Sequence, residues 1–183
     1  MKTLHFTITI LLLFNSGLVW GQSSLDEIRE YYYKYKANEK TYEIATLNRE
    51  FDDVHQAFTF YHNADKLYYV IFEHSSEFQG FSKEYFFKDD ELFFIYTAES
   101  GENYFEEPVR KCWQTDYRYY LIDEKPIQIL FKEGQLEGSF NLDSLMATIP
   151  NKNIYPQDRA NLGLELENGR ALFEIFRGLS EYR

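Results

Sequence analysis

Three stretches of the chain repeat one pattern of apolar and polar positions. Residues 57–75 read AFTFYHNADKLYYVIFEHS, residues 82–100 read SKEYFFKDDELFFIYTAES, and residues 116–134 read DYRYYLIDEKPIQILFKEG. Each holds an aromatic run, a short polar break with an acid at its centre, and a second apolar run. Runs rich in Tyr, Phe, Ile and Val, interrupted by Asn, Asp or Lys, predict two strands joined by a tight turn. Three consecutive hairpins follow, with NADK, KDDE and IDEK as their tips. Asp89, Asp90 and Glu91 therefore occupy a position that is polar in every unit. A turn requires that, and a catalytic or calcium cluster does not. None of the tips contains glycine, which argues against the two-residue type I′ turn and for four-residue loops.

The flanks show a different period. Leu25, Ile28, Tyr32 and Tyr35 fall at helical spacing, and Ser24 with Glu27 forms a capping box, so residues 25–37 are expected to be an amphipathic helix. Residues 41–51 predict a leading strand. Leu142, Leu145, Met146 and Ile149 mark a short helix stopped by Pro150. Residues 156–179 fit a longer helix opened by Pro156, with Leu162, Leu166, Phe173, Phe176 and Leu179 on one side. The Asn168-Gly169 pair is also a hairpin signal, so two strands are the competing reading there. The expected fold is α+β. An antiparallel meander over residues 41–134, made of about three hairpins and a leading strand, is packed by an N-terminal helix and a mainly helical tail over 141–183.

Alternation within the hairpins is poor, with Phe and Tyr at both parities. Either both sheet faces are covered, or one presents rings to solvent. The second case makes Tyr68, Tyr69, Tyr85 and Tyr119 a ligand-binding platform. The tyrosines of YYYKYK, residues 31–36, point in different directions at helical spacing, and some seal the helix onto the sheet.

Residues 1–21 have the layout of a secretory signal peptide: Lys2, an apolar run, then small and polar residues, with cleavage expected after Gly21. Removing them from the 183 residues leaves 162, enough for one domain, in a secreted or periplasmic location. The rival reading, an uncleaved anchor, lacks a following basic cluster. No later stretch is apolar enough to span a membrane. Loss of Lys2 takes the net charge from −11 to −12, which disfavours nucleic acid and anionic lipid and attracts a basic partner.

Chemistry-bearing residues are sparse. Cys112 is the single cysteine, so no intrachain disulfide forms; it either packs beside Trp113 or serves as a thiol near Arg110 and Lys111. An unbroken ladder from the Ala64–Asp65 turn places Phe60 opposite Tyr69 and His55 opposite His74, a candidate metal pair with Asp52, Asp53 or Glu77 as a third ligand. No phosphate-cradling glycine loop, nucleophile elbow or zinc motif occurs, and no cofactor is implied. The chain reads as a non-catalytic exported domain that binds a protein, peptide or carbohydrate. The alternative is a small hydrolase with a carboxylate or Cys–His site.

Overall fold

The polar breaks turn the chain in two residues. In the computed structural model, Phe51 pairs with Val54, Asn63 with Lys66, Lys88 with Glu91 and Ile122 with Lys125, leaving only two residues at each tip. Asp52, Ala64, Asp89, Asp90, Asp123 and Glu124 take the left-handed φ that such tips require. The expected four-residue loops are thus corrected. Short acids tolerate the left-handed region better than most side chains do, and they stand where glycine was looked for. Lys66 and Asp89 join two neighbouring tips at 3.1 Å.

The structure describes residues 24–103, 111–137, 142–155 and 161–181. Helix α1 (24–37) leads through a short 3-10 turn (Glu39–Thr41) into the sheet. The strands are β1 (Glu43–Phe51), β2 (Val54–Asn63), β3 (Lys66–Ser75), β4 (Gln79–Lys88), β5 (Glu91–Asn103), β6 (Lys111–Ile122), β7 (Lys125–Glu137) and β8 (Lys152–Ile154). Helix α2 (Leu142–Thr148) precedes β8 and helix α3 (Leu162–Glu181) follows it. The strands form one sheet in sequence order, each antiparallel to the next. The fold is α+β with a meander, as the patterning implied. The sheet is larger than three hairpins and a leading strand: β1 turns directly into β2, and β8 adds an eighth strand through Ile129–Ile154. No helix of the described residues is long and apolar enough to cross a membrane. The expected leader, residues 1–21, lies outside the described residues.

Register explains the disordered alternation. The β2–β3, β4–β5 and β6–β7 hairpins each carry a bulge at the same place, the third residue after the tip, while the β1–β2 hairpin runs unbroken. Tyr61 pairs with Tyr69 but His62 with Leu67, so Tyr68 is the extra residue; Phe93 and Ile127 are its counterparts. A bulge advances the phase by one, so the two rings of Tyr68-Tyr69 and of Phe93-Phe94 share a face.

Both faces are covered. On one, Phe60, Val70, Tyr85, Ile95, Tyr119 and Ile129 form a row across six strands, each at most 1% exposed. Helix α3 lies on it through Leu162, Leu166, Leu172, Phe173 and Phe176. Gly169, the residue that suggested a hairpin, sits mid-helix because a Cβ there would meet Leu92 Cδ2 at 2.7 Å; it sets the close approach of helix and sheet. On the other face, Tyr61, Tyr69, Phe86, Phe94 and Tyr120 form an aromatic ladder with centroid spacings of 4.2, 5.0, 5.6 and 5.1 Å. Helix α1 seals it with Ile28, Tyr32 and Tyr35.

Candidate functional site

The aromatic ladder ends where α1 ends its coverage, and a groove opens beside it. Helix α1 turns Ile28, Tyr32 and Tyr35 inward, which leaves Arg29 and Tyr33 on its flank. One step along the sheet from the ladder runs the cross-strand row Glu84, Tyr96, Arg118 and Leu130. On the far side, α2 packs over Gly134, where an added Cβ would fall 2.8 Å from Met146 Sδ, and Asn151 leads into β8. These elements enclose a groove of about 630 Å³, lined by Arg29, Tyr32, Tyr33, Phe94, Tyr96, Arg118, Tyr120, Leu130 and Asn151.

Charge in the groove is unevenly satisfied. Asp116 accepts from Gln114 Nε2 at 2.9 Å and lies 3.4 Å from Lys132 Nζ, and Lys132 donates to the Met146 carbonyl at 2.8 Å, tying α2 to the sheet. Glu84 Oε2 is 3.0 Å from Lys36 Nζ, an ion pair without hydrogen-bond alignment. Arg29 reaches Asp26 at 3.2 Å and overlies Tyr120 at 5.7 Å. Arg118, half-buried, overlies Tyr96 at 5.8 Å, and among the described residues no carboxylate forms an ion pair with it. The Tyr32 phenol is pushed up by burial and by the Glu84 charge, and Tyr96 by burial and by the Asp116 charge. Both remain protonated donors at neutral pH. Among the described residues the lining contains no His, Cys, Ser, Lys or carboxylate. Rings, two guanidinium groups and phenolic donors make it a surface for holding a molecule.

The residues singled out from sequence lie elsewhere. Tyr69, Tyr85 and Tyr119 are 0% exposed, Tyr69 beneath α1 and the other two beneath α3, so they form no open platform. Tyr68 is half-buried and stacks on Tyr42 at 4.4 Å. His55 pairs with Ser75, and His74 with Gln56, because the bulge at Tyr68 shifts the register by one and turns the two imidazoles to opposite faces. His74 stacks instead on Phe81 at 4.7 Å. A hollow of about 510 Å³ does gather Glu50, Asp52, Asp53, His55 and Glu77, with His55 Nδ1 3.6 Å from Glu50; no metal-binding group of three or more ligands exists among the described residues. Cys112 lies on β6, three strand spacings, about 14 Å, from His74 on β3, too far for a thiol–imidazole pair. Asp89 and Asp90 are the two residues of a turn.

The groove residues carried a faint signal. In DYRYY, Asp116, Arg118 and Tyr120 alternate on one face of β6, placing a cation amid aromatic neighbours. Residues 31–36 read as a helix seal, and Tyr32 and Tyr35 do that; Tyr33 does not. A second polar cluster is structural. Glu165, 3% exposed on the buried side of the first turn of α3, accepts from Lys83 Nζ at 2.8 Å and from Tyr85 Oη at 2.6 Å. Burial and the Glu165 charge push the Tyr85 phenol far up.

In comparison with known proteins, the chain matches no family model, no curated protein and no solved structure.

Proposed function

We propose that this chain is a non-catalytic exported binding domain whose ligand lies in the groove beside α1. The observation that carries the reading is the lining itself: four tyrosines and two arginines, with none of the imidazole, thiol, hydroxymethyl or carboxylate groups that acid–base or nucleophilic chemistry uses among the described lining residues. The ring of a sugar or of a peptide side chain suits Tyr32, Tyr96 and Tyr120. In this reading the aromatic contact surface lies at the seam between sheet and helix and not on an open sheet face. The acidic exterior keeps the domain soluble and slows the approach of polyanions. Export rests on the layout of residues 1–21.

A ligand-observed NMR screen of a mixed fragment library tests this. Hits are expected for the wild type and are lost in Asn151→Trp and Leu130→Trp, which place an indole in the groove. Hits that persist unchanged in both variants, with melting temperatures showing both folded, overturn the assignment. Substrate turnover with Cys112 or the carboxylates required would favour the hydrolase reading instead.

A further inference from the structure

We propose that the groove takes a ligand bearing one carboxylate on a flat apolar body, with Arg118 as the anchor. This rests on the groove being the binding site, and it adds the chemistry that the site selects.

The inference begins with an imbalance. The chain has 30 acids against 19 Lys and Arg, so carboxylates are abundant. Those near the groove are already engaged: Glu84 with Lys36, Asp116 with Lys132 and Gln114, Asp26 with Arg29. Arg118 is half-buried on the groove floor, and no described carboxylate pairs with it. A guanidinium withdrawn from water gains most from a charge-assisted, two-pronged hydrogen bond, and a carboxylate matches its fork. The ring of Tyr96 lies against the guanidinium at 5.8 Å, which limits its rotation.

The surroundings narrow the ligand further. No carboxylate is among the described lining residues, and Glu84 and Asp116, which border the groove, are each matched by a lysine. Arg29 is matched by Asp26, leaving a local excess of one positive charge, which fits a monoanion. A phosphate would call for more donors, and no lysine is among the described lining residues. Tyr32, Phe94 and Tyr120 supply ring walls for a flat body, and a volume of about 630 Å³ is that of a small-molecule site. A free aromatic acid and a peptide ending in an aromatic residue share this chemistry.

The test is an isotope-edited NMR titration of the full mature chain with two matched pairs: phenylacetate against phenylacetamide, and Gly-Gly-Tyr with a free against an amidated C-terminus. Phenylacetate is expected to shift the Arg118 side chain and the Tyr96 ring and to bind about tenfold more tightly than its amide. If the peptide acid alone shows the preference, the ligand is a chain terminus; if both acids do, the site takes free acids as well. Arg118→Gln should remove the acid preference and leave amide binding unchanged. Arg118→Lys, which keeps the charge, should retain part of it and serves if the Gln variant does not fold. Equal binding of acid and amide to the wild type, or a preference that survives Arg118→Gln, overturns the anchor while leaving the groove a binding site. If no probe perturbs any groove residue at about 10 mM, a concentration that detects even millimolar binding, the groove reading falls and the anchor with it.

Discussion

Glu165 shows how one residue can hold a helix to a sheet. Its carboxylate is buried in the first turn of α3, where among the described residues the Lys83 ammonium and the Tyr85 hydroxyl satisfy it. A buried pair of this kind adds little over a well-packed apolar pair, but removing one partner strands the other charge. Glu165→Ala should therefore cost about 3–5 kcal/mol in urea unfolding. The double variant Glu165→Leu/Lys83→Met should recover most of that loss. A single-variant loss below about 1 kcal/mol would mean that Lys83 reaches solvent or relies on Glu99, which lies 3.9 Å away. Tyr85→Phe isolates the hydrogen bond alone, and a loss of about 1.5–3 kcal/mol is expected because the acceptor is charged.

At the scale of elements, three hairpins repeat in detail: a two-residue tip with an acid in it, then a bulge three residues on. The tips were legible from composition, and so were α1, β1 and α2. The tip length was not, because the rule that equates short turns with glycine overlooks Asp and Glu at positive φ. The bulges were not legible either, although the doubled rings of Leu67-Tyr68-Tyr69 and Leu92-Phe93-Phe94 are their trace. That omission alone produced the false His55–His74 pair, since one extra residue changes every partner below it. Two variants test this scale. Asp89→Asn/Asp90→Gly should be neutral to stabilising by about 1 kcal/mol, because it relieves left-handed strain at both positions; a loss of more than that would give the acids a role beyond turning the chain. Gly169→Val should lower stability by about 2 kcal/mol or more, since Leu92 and Tyr85 are both buried and have little room to retreat. A neutral result would mean that α3 stands off the sheet.

The whole molecule is a sheet with rings on both faces, and that design has a consequence in alkali. Burial is the first cause that raises the phenols of Tyr32, Tyr35, Tyr42, Tyr61, Tyr69, Tyr85, Tyr96 and Tyr119. A group whose folded pKa lies above its unfolded value contributes stability that is complete below the unfolded value, near 10 for tyrosine, and is lost as pH rises toward the folded one. Stability should thus fall steeply above pH ~10, by at most about 1.4 kcal/mol per pH unit for each phenol and by less for those partly open to solvent. Absorbance near 295 nm should show these tyrosines ionising together with unfolding. Smooth ionisation of all the tyrosines near pH ~10 with the fold intact would contradict the burial described. The aromatic residues at both parities left the covering of both faces as one of two readings, and the seam between α1 and β6 was not legible in the sequence, because it depends on which helix lies on which side of a register that the bulges reset. The groove is the part of this arrangement that bears on function, and its location is what a map of bound ligand reads most directly. With hits from the fragment screen, amide and side-chain shift changes should centre on Arg29, Tyr32, Tyr96, Arg118 and Tyr120. Changes centred instead on the half-buried rings of Phe58, Phe72 and Phe81, or on the acidic hollow around His55, would contradict the account.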